Sequence, residues 1–283
     1  MSLIFNQLFA LLLIPLFYPH GSLSSKPAEL GAYCKTSRCG LKNLACRNSR
    51  NLSIACAPGS KVVSLSPYRE QLLHQFNSFR NKVAVGYTRT LFPAGRMARM
   101  AWSTELENFA KMYIKKCVFN PRPCMASVQF SAIGSIYDGL SYSGSQKSHK
   151  IPEITEELLN GWFEDARFVT RELSLRLRNE FTRPTVRQAV LLMADRNTHV
   201  GCSAMRLSNG MVNQFFLACT FATDNILNKP IYKVRATAGS LCKQRDSTYK
   251  NLCALGEVYN NQREYKPGEL LPSSAELFSE VEV

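Results

Sequence analysis

Residues 199–221 read HVGCSAMRLSNGMVNQFFLACTF. Apolar side chains alternate through Val200, Cys202 and Ala204, and again through Phe215, Leu217, Cys219 and Phe221. A period of two marks strands with one buried face. Between the runs, Ser208-Asn209-Gly210 supplies the chemistry of a tight turn, since Asn and Gly accept the positive φ that hairpin turns need. The stretch therefore predicts a β-hairpin over 199–221. Cys202 and Cys219 are almost equidistant from its turn, in position to face each other across the two strands.

Upstream, the period changes to that of helices. Over 67–87, Leu72, Leu73, Phe76, Phe79, Arg80 and Val83 recur at spacings of three and four, with Pro67 suited to the first turn and Gly86 to the stop. Over 103–117, Thr104 and Glu107 form a capping box, and Leu106, Ala110, Met112, Tyr113 and Ile114 form the apolar face. Over 152–173, Ile154, Leu158, Trp162 and Ala166 recur every four residues, flanked by Leu159 and Phe163. Helices combined with hairpin-linked strands predict an α+β domain in which helices layer against an antiparallel sheet.

The chain opens on an uncharged apolar run, Leu3 to Phe17, followed by Pro19, Gly21 and small residues at Ser22 to Ser25. At about fifteen residues it is short of the roughly twenty that a membrane span needs, and no later stretch comes closer. Residues 1–24 read as a signal peptide, although the usual basic leader segment is missing, and no transmembrane span is expected. All ten cysteines follow this leader. In an oxidising compartment an even count reads as five disulfides with no free thiol, which argues against cysteine-based metal or redox chemistry. Residues 25–64 hold four cysteines and little periodicity, as expected of a disulfide-tied extension too poor in apolar residues to fold alone. Residues 233–283 read as a C-terminal extension with two cysteines and an acidic tail. Asn51-Leu52-Ser53 is a glycosylation sequon. The net charge of +14 and the pI near 9.4 direct a secreted protein toward acidic surfaces such as sulfated glycans, sialylated coats or anionic lipid. Nucleic acid is not an expected partner outside the cell.

Several blocks, in order, resemble the CAP superfamily of cysteine-rich secretory, antigen 5 and pathogenesis-related proteins, most of all its insect antigen 5 branch. Phe76-Asn77-Ser78-Phe79-Arg80-Asn81-Lys82-Val83-Ala84 followed by Gly86 is similar to the first-helix signature. Ala101-Trp102 with Leu106, Ala110 and Cys117 is similar to the second. Cys117 and Cys124 match the antigen 5 pair, and His199-Val200-Gly201-Cys202 matches the Val-Gly-Cys strand. Phe216 to Ala222 and Pro230-Ile231-Tyr232 match the following strand and exit loop. The resemblance covers roughly residues 33–232, with the CAP domain itself at 65–232. It implies a three-layer α-β-α sandwich. It also implies the pairs Cys34–Cys46, Cys39–Cys124, Cys56–Cys117 and Cys202–Cys219, which leaves Cys242 for Cys253.

Many CAP domains carry two histidines and two glutamates in a cleft, a set able to hold a divalent metal. The resemblance places those four positions on Pro121, Ser135, Asp165 and Gln188. Both imidazoles are absent: no histidine lies between His74 and His149, or between His149 and His199. One carboxylate, an amide, a hydroxyl and a proline do not make a zinc site, so no metal and no cofactor is expected. His199 and Ser203 sit four residues apart on a strand, roughly 13 Å, too far for a nucleophile–base pair. No catalytic residue is assigned.

Arg167, Arg171, Arg176, Arg178, Arg183 and Arg187 fall within 21 residues, offset only by Glu172 and Glu180. Guanidinium groups suit sulfate, phosphate and carboxylate, so this run is a candidate docking face for an acidic glycan or an extracellular protein. Leu158, Leu159, Trp162 and Phe163 are candidates to line a channel for a small hydrophobic ligand, or to be plain core. The expectation is a secreted, non-catalytic, glycosylated binding protein, with a reproductive fluid as one setting and a salivary or venom-type role as the alternative. A metal-dependent or serine hydrolase is the alternative from a different class.

Overall fold

The computed structural model describes residues 30–87, 90–147, 149–178, 185–209 and 212–259. The signal-peptide reading, the acidic tail, Gly210 of the turn and Arg183 lie outside these residues.

The hairpin is the centre of the molecule. Strand β4 (His199–Asn209) pairs antiparallel with β5 (Val212–Phe221), and Cys202 stands opposite Cys219. The other edge of β5 takes β3 (Gly134–Ser143) in antiparallel register. The free side of β4 takes two short strands, β1 (Lys61–Val63) antiparallel and β2 (Ala101–Trp102) parallel.

Helices cover both faces. On one side α2 (Arg69–Ala84), α4 (Ile151–Glu164) and α6 (Val186–Met193) pack with Phe221, Cys202 and Ile136 into the larger core. On the other, α3 (Thr104–Ile114) sets Leu106, Phe109 and Tyr113 against Met205, Ala218 and Ala222. The result is the three-layer α-β-α arrangement. Gly201 explains how close α3 comes: a Cβ there would lie 2.1 Å from the Glu107 nitrogen. Opposite Gly201, the Thr220 hydroxyl donates to the Leu106 carbonyl at 2.7 Å. A glycine in the Val-Gly-Cys strand is thus a steric requirement for seating the helix.

Three helical expectations need correction. The first helix begins at Arg69, because Ser66–Tyr68 is a separate 3₁₀ turn; Gly86 does stop it, at φ +91°. In the second, the cap is Ser103, whose hydroxyl accepts from the Leu106 N–H at 3.2 Å. Glu107 does not close a capping box; it accepts from Trp102 Nε1 at 2.8 Å and pairs with Arg69. The third is not continuous to residue 173. It ends at Glu164, tightens into a 3₁₀ turn at Asp165–Phe168, and breaks at Val169. Thr170 then caps a new short helix, α5 (Arg171–Leu175), by accepting from the Leu173 N–H. A threonine side chain that competes for backbone groups restarts a helix rather than continuing one.

Five disulfides join Cys34–Cys46, Cys39–Cys124, Cys56–Cys117, Cys202–Cys219 and Cys242–Cys253. The second and third staple the N-terminal segment, which starts with α1 (Leu30–Tyr33), to the body below α3. That segment also contributes β1 to the sheet, and Asn43 donates to the Ala126 carbonyl at 2.7 Å. The segment after residue 233 folds back as well: Cys253 N–H donates to the Met97 carbonyl at 2.8 Å, and Leu252 and Cys253 are fully buried.

Candidate functional site

The four cleft positions come from four different elements. Pro121 is exposed in the loop after α3. Asp165 opens the 3₁₀ turn that packs on α6, where Gln188 sits in the first turn; both are half-buried. The structure thus brings Asp165 and Gln188 onto neighbouring elements. Ser135 is elsewhere: it pairs with Thr220 and so shares the sheet face that carries α3, and its buried Oγ has no hydrogen-bond partner. No hydrogen bond joins any two of the four among the described residues.

What ties this region together is an ion pair that the sequence does not announce. Arg122, next to Pro121, donates through Nη1 and Nη2 to the two carboxylate oxygens of Asp224, at 3.1 and 2.5 Å. Asp224 also accepts from the Asn225 N–H, and Asn225 Nδ2 donates to the carbonyl of Arg187, next to Gln188. A bidentate guanidinium–carboxylate fork uses the acceptor capacity of Asp224. The donor set therefore does not fit a divalent cation: there is no imidazole at these positions, and the nearby carboxylate is committed to arginine. Cys242, Cys253 and Glu257 also lie close together, but the two sulfurs form a disulfide and Glu257 pairs with Arg96.

His199 and Ser203 do not form a pair either. His199 Nδ1 is 2.9 Å from Thr198 Oγ1, and its ring lies 5.6 Å from that of Phe130. It lines a cleft of about 790 Å³ between residues 96–101, Gln129–Phe130 and the returning segment 254–259. Burial lowers its pKa, so the imidazole is held neutral. The unfolded chain, with an ordinary value of 6.5, takes up the proton first as pH falls. The contribution of His199 to stability is therefore complete above that value and is lost as pH drops below it toward the folded-state pKa. Replacing His199 with Gln should flatten the fall in unfolding free energy between about pH 7 and pH 5 relative to the parent. Denaturant titrations at several pH values read this directly, and parallel curves for the two proteins would contradict it.

In the basic run, Arg167, Arg171, Arg176, Arg178 and Arg187 are all exposed. They are not all free. The Arg171 guanidinium lies 4.7 Å over the Phe92 ring and donates to the Thr90 carbonyl at 2.6 Å, and Arg167 lies 4.8 Å over Phe168. Leu158, Leu159 and Trp162 are buried core: Trp162 Nε1 donates to Asp138 at 3.1 Å, and Phe163 stacks on Phe79 at 4.4 Å. Asn51 is exposed, and the sequon's Ser53 hydroxyl accepts from the Ala55 N–H.

Comparison with known proteins agrees with this fold. The family model for CAP, the cysteine-rich secretory protein family, matches residues 73–221. The chain is 31% identical to tabinhibitin 1 of Tabanus yao over 193 residues, covering 68% of this chain and 74% of that protein. It is 26% identical to venom allergen-1 of Aedes aegypti over 236 residues, covering 81% and 90%. The structure of NaASP2 with Zn²⁺ superposes with a TM-score of 0.51 at 20% identity, over 70% of this chain and 99% of that one. BmVAL-1 gives 0.50 at the same identity, over 70% and 98%. At that identity the two structures speak for the fold. With the sandwich, the stapled N-terminal segment and a matching family model over more than half its length, the chain belongs to the cysteine-rich secretory protein (CAP) family, among its antigen 5-like members.

Proposed function

We propose that this protein is a secreted, non-catalytic binding protein, exported by a signal peptide at residues 1–24, that acts by engaging an extracellular protein or an acidic glycan. The observation that carries this reading is the donor set of the cleft. Pro121, Ser135, Asp165 and Gln188 offer one carboxylate and no imidazole, and Arg122 holds the neighbouring Asp224 in a two-pronged ion pair. A lone carboxylate with no imidazole beside it speaks against tight zinc binding and against metal-activated water. The exposed arginines from Arg167 to Arg187 supply a surface whose planar donors suit sulfate and carboxylate. The relatives' names, tabinhibitin and venom allergen, favour a salivary or venom-type effector over a reproductive one.

The test is zinc titration of the purified chain by calorimetry, run beside peptide and ester hydrolysis assays with and without chelator. The expected result is no stoichiometric zinc uptake and no chelator-sensitive turnover, with the Asp165→Ala variant indistinguishable from the parent. One tightly held equivalent of zinc, or turnover that disappears in Asp165→Ala, would return the protein to the hydrolase class.

A further inference from the structure

The richest unassigned surface is the tip formed by the N-terminal segment and the end of α3. Ser53 N–H donates to the Lys115 carbonyl at 2.9 Å, and Cys56 is bonded to Cys117. Between these two anchors, residues 53–56 make a turn closed by Cys56 N–H to the Ser53 carbonyl at 3.0 Å. The turn's apex carries Ile54, which is fully exposed. Leu52 precedes the first anchor at 42% exposure, and Val118 follows the second at 47%. Scattered apolar residues on a surface need no explanation, but three aliphatic side chains held at one double-anchored tip do.

The charge around them is one-sided. Residues 30–69 contain seven Lys and Arg and no Asp or Glu, and residues 108–137 contain four and none. Arg47, Arg50, Lys111 and Lys116 are exposed, and none is in an ion pair among the described residues. Lys115 Nζ donates to the Arg50 carbonyl, which places the cations of the loop and of the helix end side by side. Two cations of this stretch are already used, Arg69 on Glu107 and Arg122 on Asp224.

We infer that this tip docks the protein on anionic membrane surfaces, with Leu52, Ile54 and Val118 entering the headgroup boundary and Arg47, Arg50, Lys111 and Lys116 facing acidic headgroups. An aliphatic apex ringed by unpaired cations answers both layers of such a surface: apolar atoms leave water while the charges stay at headgroup level. A soluble acidic glycan would satisfy the cations and leave the aliphatic apex in water, so the apex is what selects lipid. The surface is separate from the arginine run at 167–187 and does not depend on it. A glycan on Asn51 would stand beside Leu52 and hold the tip off a bilayer.

The test is sedimentation of the full-length mature chain carrying Asn51→Gln with phosphatidylcholine vesicles, made with and without phosphatidylserine. The chain should sediment only with the phosphatidylserine vesicles, and less as salt rises to about 1 M, where charges are screened within about 3 Å. Ile54→Asp should weaken binding roughly tenfold or more, and Arg50→Glu with Lys116→Glu at least as much. Ile54 is fully exposed, so its variant keeps the fold, checked by near-UV dichroism. Lys243→Glu with Lys250→Glu, exposed on the returning C-terminal segment, should bind like the parent. Failure to sediment with anionic vesicles would overturn the inference. So would parental binding by Ile54→Asp, which would leave only bulk charge, or an equal loss in the Lys243/Lys250 variant. Heparin retention without vesicle binding would assign the tip to a glycan instead.

Discussion

Replacing Arg80 with Ala costs the fold about 4 kcal/mol or more, enough to leave a domain of ordinary stability close to unfolding. Arg80 is fully buried in α2. Its Nε donates to the Ala98 carbonyl at 3.0 Å, Nη1 to those of Leu192 and Ala194 at 2.7 and 2.8 Å, and Nη2 to that of Asp195 at 3.2 Å. One side chain thus reaches four carbonyls, at the end of α6, just beyond it and before β2. Those of Ala194 and Asp195 also accept from the Asn197 and Ala98 N–H groups, whereas those of Leu192 and Ala98 take their hydrogen bond from Arg80. Each carbonyl left buried and unpaired costs about 1–3 kcal/mol, and the emptied guanidinium space adds a cavity. Against this stands the cost of burying the cation, visible as a pKa lowered by desolvation to about 10. The group stays charged at neutral pH, so its donors are fully available. Arg80→Lys recovers little, because an ammonium has no planar fork to span four acceptors. Guanidinium unfolding followed by tryptophan fluorescence measures the loss, and a cost under about 1.5 kcal/mol would mean that water or a shifted backbone replaces the donors.

Arg80 also marks how much of this fold is legible in the sequence. The hairpin is readable because, although helices bury both faces, the side chains toward α2 and α4 are Val200, Cys202, Phe215, Leu217 and Phe221, whereas Gly201, Ser203, Ala218 and Thr220 toward α3 are small or polar. The first two helices are readable because their buried residues form one stripe. Arg80 sits within that stripe, and only the tertiary structure shows that it is buried to serve carbonyls from another segment. Helix α6 has no stripe to read: Val186, Ala189, Val190, Leu191, Leu192 and Met193 are all buried, so the run carries no period. Strand β3 is obscured by glycines that the packing requires. A Cβ on Gly139 would lie 2.5 Å from the Phe216 ring, and one on Gly134 would lie 2.5 Å from the Thr223 carbonyl. Glycine lowers the strand signal where neighbours come close.

The site divides in the same way. That no imidazole stands at the four matched positions is a fact of the sequence, since it needs only the positions of the histidines. The geometry is not. Counting along motifs places Ser135 beside Asp165 and Gln188, whereas the register of β3 turns it to the α3 face. The Arg122–Asp224 pair joins residues 102 positions apart, and no local pattern selects one arginine from the many in a chain of charge +14. The cysteine partners were likewise beyond spacing alone, apart from the facing pair in the hairpin.

Removing Cys39–Cys124 by a double Cys→Ser substitution is the other large effect, about 3–4 kcal/mol. The bond spans 85 residues, of which the intact Cys56–Cys117 bond bridges 61, and the remaining loop of roughly 25 is still the one whose release returns the most conformational freedom among the five. It also releases what the bond holds in register. Leu44 N–H donates to the Cys124 carbonyl at 2.8 Å, and Asn43 Nδ2 bridges the Ala126 and Tyr33 carbonyls. The N-terminal segment has few buried apolar residues of its own beyond Leu44 and Ala45, so these contacts depend on its being tethered. Cys242–Cys253 spans 11 residues, and the same chain-entropy reasoning gives about 3 kcal/mol for it. Unfolding curves of the two double variants under identical conditions should therefore rank them, with the Cys39/Cys124 protein the less stable. The reverse order would mean that the returning C-terminal segment, with Leu252 and Cys253 fully buried against the body, anchors the fold more strongly than the N-terminal staple.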